Sequence, residues 1–242
     1  MKNNFGFVLV KPQLGENIGA CARSLKNFGF SKLKIVSPKQ AWPNNKAKVT
    51  SVGAYEIIKN TKIFNNTKSA IGDFDIVISL SARKRDINKK HISMNQFFKI
   101  IQSRKNTKFG LMFGPEASGL SNDDLSLSNY VLQIPTSKKF KSLNLSHSLT
   151  LICYEIFKII NLKKFEKPGR NIKISSKNNI TSLVIHLEKL LDKKGFFTPS
   201  EKKQSMLMNI NNLFYRLEPN DKEVRILASI ISSLSKKNIN RN

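Results

Sequence analysis

Short apolar runs alternate with helix-like segments over residues 5–160, and this alternation is the feature that most restricts the fold. The apolar residues in each run are continuous rather than spaced at helical intervals, which is typical of buried strands. The runs cover residues 7–10, 33–36, 74–78, 109–113 and 130–134. Strands that alternate with helices favour parallel pairing, because each crossover helix returns the chain to the same end of the sheet. The pattern predicts an α/β fold with a mostly parallel sheet.

Two long helices are predicted beside these strands. The first begins near Asn17, carries one apolar face and ends at Gly29. The second is rich in apolar residues and covers about residues 143–160. Both are long enough to cover a face of the sheet.

The chain changes character after the second of these helices. Residues 163–179 contain Lys-Pro-Gly-Arg, Ser-Ser and Asn-Asn with few large apolar side chains, which is typical of a linker. Residues 180–237 return to helical periodicity and carry three apolar stripes. We therefore predict a domain over residues 1–162, a linker over 163–179 and a small helical C-terminal extension over 180–242.

The formal net charge is +26, and an excess of this size suggests a polyanionic partner such as nucleic acid. Lysine accounts for 34 of the 42 basic residues, however, and an A+T-rich genome would give the same bias on neutral surfaces. The positions of the eight arginines are more informative. Arg23, Arg83 and Arg85 fall in loops or at helix starts between predicted elements.

Membrane and metal functions are not predicted. No apolar run approaches the roughly 18 residues that a membrane span needs, and Met1–Phe5 lacks the apolar stretch of a signal peptide. We expect a cytoplasmic protein. The three histidines are widely spaced, and both cysteines lie in apolar helix-like segments that favour buried free thiols.

The segment after the first predicted strand carries Asn17, Gly19 and Arg23. A helix begins there, and the unpaired N–H groups of a helix N-terminus suit an anion. The spacing of Gly15 and Gly19 is not that of a dinucleotide-binding loop. An arginine in contact with solvent on a surface helix is the alternative interpretation of Arg23.

Three further segments follow predicted strands. Residues 111–120 place Glu116 between Gly114 and Gly119, at the strand end where open α/β sheets bind ligands; an ordinary β–α turn is the alternative. Residues 134–146 contain Ser142 and Asn144, which could equally cap a helix. Residues 79–86 contain three consecutive basic residues that could clamp a phosphate or simply contact solvent.

Three of these segments, taken in chain order, resemble the three motifs of SpoU-type methyltransferases of the SPOUT class. They are N-x-G-x-x-x-R at 17–23, F-G-P-E-x-x-G-L at 113–120, and I-P followed by S-L-N-L-S at 134–146. Three ordered motifs at strand ends make chance a poor explanation. The resemblance implies S-adenosylmethionine-dependent 2′-O-methylation of RNA. It also implies a SPOUT-type, mostly parallel sheet with a C-terminal trefoil knot, and a homodimer.

A narrower resemblance points to tRNA. The S-A-R-K-R run at 81–85 is similar to a loop of the TrmJ branch of this family, and the tail around 212–227 is similar to the helical C-terminal segment of that branch. This implies tRNA as the partner and cytidine or uridine at position 32 of the anticodon loop as the target. An rRNA 2′-O-methyltransferase of the same family, or a non-catalytic RNA-binding protein on the same fold, stays open as an alternative.

The resemblance also implies roles for individual positions, with no metal among them. The catalytic set is Arg23, Asn17, Glu116, Ser142 and Asn144. The cofactor-binding set is Ser79, Leu80, Ser81, Gly114, Ile134, Ser142, Leu143 and Asn144. The RNA-binding set is Arg23, Arg83, Lys84 and Arg85.

Overall fold

A computed structural model describes residues 2–82, 88–104, 106–161 and 173–235. Seven strands form one sheet in the order β3-β2-β1-β6-β4-β7-β5, and every neighbouring pair is parallel. The strands are β1 (Phe5–Val10), β2 (Leu33–Val36), β3 (Lys62–Phe64), β4 (Ile76–Leu80), β5 (Lys90–Ile92), β6 (Phe109–Phe113) and β7 (Tyr130–Leu132). The predicted α/β class with a mostly parallel sheet is confirmed.

Helices cover both faces of this sheet. They are α1 (Gly15–Phe28), α2 (Asn45–Thr50), α3 (Tyr55–Lys59), α4 (Thr67–Ile71), α5 (Met94–Ser103), α6 (Asn122–Ser126), α7 (Leu145–Asn161), α8 (Lys177–Lys193), α9 (Lys203–Arg216) and α10 (Asp221–Ser235). None of the helices in the described ranges is both long and apolar enough to cross a membrane.

The two faces have separate apolar cores because successive side chains of a strand point to opposite sides. In β1, Phe7 and Leu9 pack under α1, α3, α5 and α7, whereas Val8 and Val10 face the other side. That second core is completed by side chains of α4, α6, α8 and α9. The helical extension therefore shares a core with the sheet.

Several predicted boundaries need correction. The predicted strand at 74–78 begins at Ile76, and the one at 130–134 ends at Leu132. The edge strands β3 and β5 were not predicted, because three residues each, mostly exposed, give no continuous apolar run. Cys21 and Cys153 are buried free thiols, as expected.

The helical extension begins inside the predicted linker. Ser176 accepts a hydrogen bond from the Asn179 N–H at 3.3 Å, so α8 starts at Lys177, three residues early. Residues 163–172 of that linker lie outside the described residues. Two main-chain hydrogen bonds join the start of α8 to the segment before β4. The Lys177 N–H donates to the Phe74 carbonyl at 2.9 Å, and the Asn178 N–H donates to the Gly72 carbonyl at 3.0 Å.

Polar groups are buried where the extension meets the sheet. Asn129 accepts from the Val77 N–H at 2.8 Å and donates to the Tyr215 carbonyl at 2.6 Å, which ties β4 to α9. The Lys177 ammonium is fully buried and donates to the same Tyr215 carbonyl at 3.3 Å. Burial lowers the pKa of Lys177 to about 7. The sheet and the extension form one folded unit.

Candidate active site

A cavity of about 590 Å³ opens at the carboxyl ends of β4, β6 and β7. Its walls come from the loops that follow these three strands, which is where parallel sheets bind ligands. The strand ends, the three loops and the first turn of α7 line it: Leu80, Ser81 and Ala82; Phe113–Gly119; and Leu132, Ile134, Lys141, Ser142, Leu143, Leu145 and Ser148. The volume lies within the roughly 300–1,000 Å³ of small-molecule sites.

Gly114 makes the tight loop after β6 possible. A Cβ at this position would collide with the main chain of Gly119 and Leu120, so any side chain would force the loop to open. The loop closes with the Gly119 N–H donating to the Pro115 carbonyl at 2.8 Å. The tight conformation of this wall of the cavity therefore depends on glycine at position 114.

The Glu116 carboxylate joins this loop to the start of α1. It accepts hydrogen bonds from the Gln13 N–H at 2.8 Å, the Leu14 N–H at 3.3 Å and the Asn17 side-chain amide at 2.7 Å. The Ala117 N–H donates in return to the Gln13 side chain at 3.2 Å. The anion expected at the start of this helix is thus supplied by the protein itself.

Asn144 connects the third loop to the same network. Its amide donates to the Asn17 side-chain oxygen at 3.1 Å, and its own oxygen accepts from the Ser146 N–H at 2.9 Å and hydroxyl at 2.7 Å. Asn17 therefore stands between Glu116 and Asn144, and all three motif segments are cross-linked. The capping alternative for Asn144 is also correct, since it satisfies the first turn of α7.

Gly19 has a packing role in the structure. A Cβ there would collide with the Ala47 carbonyl and the Thr50 hydroxyl of α2, so glycine lets α1 and α2 approach closely. The Gly15 N–H at the start of α1 is occupied by the Gln40 side chain at 3.3 Å. These contacts leave the start of α1 without the free N–H groups that an external anion would need at these positions.

The structure brings some of the expected site residues together and separates others. Leu80, Ser81, Gly114, Ile134, Ser142 and Leu143 line the cavity, as does Glu116. Ser79 is fully buried and does not line it, because alternation along β4 turns its side chain away from the cavity side that Leu80 occupies. Asn144 does not line the cavity either, so the cofactor-binding roles of Ser79 and Asn144 stay predictions.

Arg23 is exposed on α1 and does not line the cavity of its own chain. It lies six residues beyond Asn17, about 9 Å along the helix axis. Arg83, Lys84 and Arg85 lie outside the described residues.

Sequence reasoning missed several residues of this region. Gln13 bridges two loops through both its main chain and its side chain, and Lys141 and Ser148 line the cavity. Lys141 precedes Ser142 directly, so its position in the third motif was the available signal. Gln13 carried none, because its partners are about 100 residues away in sequence.

The chain is similar to known proteins over nearly its whole length. The model of the SpoU rRNA Methylase family matches residues 4–154, and that of the tRNA methyltransferase TrmJ C-terminal domain matches residues 178–242. A tRNA (cytidine-2′-O-)-methyltransferase TrmJ from Methanocaldococcus jannaschii is 34% identical over 226 residues, which are 92% of this chain and 96% of the relative. The tRNA (cytidine/uridine-2′-O-)-methyltransferase TrmJ from Pectobacterium atrosepticum is 30% identical, with 98% of each chain covered.

A solved structure shows the same arrangement of both parts. The crystal structure of TrmJ from Z. mobilis ZM4 superposes with a TM-score of 0.86 at 31% sequence identity, covering 96% of this chain and 99% of that one. The superposition includes the extension as well as the sheet, so the packing of the extension on the second face is common to both proteins.

Proposed function

This chain belongs to the SpoU rRNA Methylase family, and from that membership we propose that it is an S-adenosylmethionine-dependent tRNA 2′-O-ribose methyltransferase acting on cytidine or uridine at position 32. The observation that carries the proposal is the cavity whose three walls are cross-linked through Asn17, Glu116 and Asn144. A C-terminal segment that matches the TrmJ model favours tRNA over rRNA.

The cavity has the size and the wall chemistry that the cofactor requires. Apolar side chains of Leu80, Ile134 and Leu143 would enclose the adenine, and the main chain around Gly114 would supply hydrogen bonds to its polar edge. Bound S-adenosylmethionine supplies an electrophilic methyl group on a sulfonium, whose leaving group is a neutral thioether. No acid is therefore needed on the leaving side.

The task that remains for the protein is to hold the ribose hydroxyl in line and to help remove its proton. Positioning of this kind is worth roughly 7–11 kcal/mol in favourable cases. Glu116 and Asn144 form hydrogen bonds with residues of α1, α7 and the loop before α1, so we infer that they stabilise the walls of the cavity. Arg23 has the exposure and charge to orient the target phosphate and hydroxyl. A guanidinium is always protonated in proteins, so we assign it an electrostatic role rather than that of a base.

Exposed lysines follow several strands at the carboxyl edge of the sheet, the edge at which the cavity opens. Lys11 follows β1, Lys39 follows β2, and Lys138, Lys139 and Lys141 follow β7, all at the carboxyl edge of the sheet. Their placement supports RNA binding on this edge.

We include a homodimer in the proposal. α1 and α7 pack together, and exposed apolar side chains lie on α7 (Leu151 and Tyr154) and directly before α1 (Leu14). Exposed apolar side chains on adjoining elements are typical of an interface between copies. Arg23 is exposed on α1 as well, which would place it close to the second copy.

The proposal is tested by incubating the purified protein with S-adenosylmethionine and unmodified tRNA, followed by nuclease mapping and mass spectrometry of the nucleosides. We expect a 2′-O-methylated pyrimidine at position 32. Methylation at another position would refute the site, and methylation of rRNA alone would refute the substrate. Calorimetry that detects no binding of the cofactor or its demethylated product would favour a non-catalytic RNA-binding protein.

A further inference from the structure

Phe140 lies in the loop between β7 and α7, directly before Lys141, which lines the cavity. Its side chain is 75% exposed, although a phenylalanine is among the residues most often buried. It belongs to neither apolar core, and no aromatic or cation–π contact of its ring is present among the described residues. The ring therefore contributes little to folding.

One long hydrogen bond spans the loop. The Thr136 hydroxyl donates to the Lys141 carbonyl at 3.4 Å across the turn that carries Phe140. On one side of the turn Ile134 lines the cavity, and on the other side Lys141, Ser142 and Leu143 do. The exposed ring is thus one residue away from the wall of the cavity that receives the methyl donor.

Three exposed lysines flank the ring, Lys138 and Lys139 before it and Lys141 after it, and no acidic residue lies between residues 135 and 144. An aromatic ring beside ammonium groups is the composition with which proteins hold single-stranded nucleic acid, because bases stack on the ring while phosphates pair with the charges.

We propose that Phe140 is a base-stacking residue, whose ring packs against a nucleobase next to the methylated nucleotide while the flanking lysines contact the adjoining phosphates. The inference rests on the proposed function, since it takes the substrate to be a single-stranded loop of RNA. Phe140 would hold the loop of RNA, and it is not among the residues of the three motifs.

Two other partners for the Phe140 ring, the cofactor and a second copy of the chain, fit less well. The adenine of the cofactor would be enclosed by residues that line the cavity, and Phe140 is not one of them. A second copy centred on this loop would set its three lysines against their own equivalents, which repel. Phosphates neutralise the same charges.

The test compares Phe140→Leu, Phe140→Tyr and Phe140→Trp with the matched control Phe196→Leu, at a phenylalanine of the extension that is 48% exposed. Loss of one stacked base should raise the KM for tRNA about 10-fold in Phe140→Leu. The two aromatic variants should stay close to the unmodified protein, because they keep a ring. Affinity for S-adenosylhomocysteine, measured by calorimetry, should be the same in all of them.

A second readout needs RNA binding but no turnover. An anticodon stem-loop with 2-aminopurine beside the target nucleotide should lose fluorescence on binding the unmodified protein, because stacking quenches this base. Phe140→Leu should bind without that quenching, and Phe196→Leu should retain it. Tryptophan in place of Phe140 should quench at least as strongly.

Each contrary result overturns the inference. Equal KM and equal quenching in Phe140→Leu and Phe196→Leu would show that the ring does not stack on the substrate. Loss of S-adenosylhomocysteine affinity in Phe140→Leu would assign the ring to the cofactor site. A change in the number of chains per assembly, measured in solution, would assign it to an interface between copies. If the unmodified protein quenches the fluorescence but does not methylate tRNA, only the proposed function is refuted. If it methylates tRNA and Phe140→Leu quenches as strongly as the unmodified protein, only the stacking role of Phe140 is refuted. A protein that binds no RNA would refute both.

Discussion

The Asn17 amide donates to the Glu116 carboxylate at 2.7 Å, although the two residues are 99 positions apart in the sequence. Asn17 lies at the start of α1, which follows β1, and Glu116 lies in the loop after β6. β1 and β6 are neighbours in the sheet. The same carboxylate satisfies two main-chain N–H groups of the loop before α1. One side chain therefore fixes the relative position of two loops, one of which forms a wall of the cavity.

Glu116→Ala should weaken both the fold and the cofactor site. Three donors would lose their acceptor, and an unsatisfied, partly buried group costs roughly 1–3 kcal/mol. We expect the free energy of unfolding in urea to fall by about that amount, and affinity for S-adenosylhomocysteine to fall with it. Asn17→Ala and the double variant complete a mutant cycle, in which strictly additive losses would contradict a direct interaction.

The sequence was sufficient to predict the α/β class, the central strands and the segments that meet at the cavity. Continuous apolar runs identified β1, β2, β4, β6 and β7, and the three motifs identified loops that the structure places side by side. Such predictions succeed because burial on both faces of a parallel sheet leaves a strong local pattern.

Features that depend on distant partners could not be predicted. Gly19 looked like part of an anion site and instead permits close packing against α2. The sequence offered no reason to distinguish Ser79 from Leu80 as cavity residues. In the structure, successive side chains of the strand point to opposite sides, and only Leu80 lines the cavity. The apolar stripes of the tail predicted its helices but did not reveal that these helices pack on the sheet.

Removal of the extension should disrupt the whole protein. A chain that ends at residue 172 would uncover the sheet side that carries Val77, Met112 and Val131, and would remove the partner of Asn129. We expect loss of the cooperative unfolding transition and binding of an apolar dye, measured with circular dichroism and fluorescence. A monodisperse shortened protein with a sharp transition would show that the sheet does not need this cover.

The contribution of the extension to tRNA binding is better tested at its surface. Lys189, Lys193 and Lys194 are exposed at the end of α8. We predict that replacing all three with glutamine weakens tRNA affinity and lowers the slope of log affinity against log salt, by up to about one unit for each lost phosphate contact. Circular dichroism should show an unchanged fold. An unaltered salt dependence would remove these lysines from the RNA-binding surface.

The buried Lys177 ammonium should make stability depend on pH. Its pKa is lowered by burial to about 7, from an ordinary value of 10.5 that the unfolded chain retains. Between these values the unfolded chain binds a proton that the folded chain has released, so stability rises with pH. One such group contributes at most about 1.4 kcal/mol per pH unit. We expect the urea midpoint to increase from pH 6.5 to 8.5, and less so in Lys177→Met.

Other groups of the same region set the limits of that experiment. Lys89 also has a pKa lowered to about 7 by burial and by the charge of Arg216, so a residual slope should remain in Lys177→Met. Asp75 and Glu218 act on Lys177 in the opposite direction. The series stops at pH 8.5 because burial raises the pKa of the Cys21 and Cys153 thiols, which lowers stability at higher pH. Identical slopes in Lys177→Met and the surface variant Lys189→Met would contradict the assignment.

Arg23 provides the most direct test of the catalytic assignment. If its guanidinium orients the target phosphate and hydroxyl in the transition state, Arg23→Ala should lower kcat by at least about 100-fold, the size expected when one preorganised donor is removed. Arg23→Lys keeps the charge but loses the planar fork, so bidentate positioning predicts almost no rescue and a pure charge effect predicts partial rescue. Affinity for S-adenosylhomocysteine should stay unchanged, because Arg23 does not line the cavity.

The position of Arg23 outside the cavity of its own chain suggests a second experiment on the same residue. In a dimer that packs through α1 and α7, each arginine would serve the cavity of the other copy. Arg23→Ala mixed with a cavity variant such as Gly114→Val would then regain activity, because half of all dimers that form on mixing pair the two variants, and each of these contains one intact cavity opposite one intact arginine. Near-normal turnover of a folded Arg23→Ala protein would instead return Arg23 to an arginine that only contacts solvent. Absence of rescue, with both single variants inactive and dimeric, would place the arginine at its own cavity.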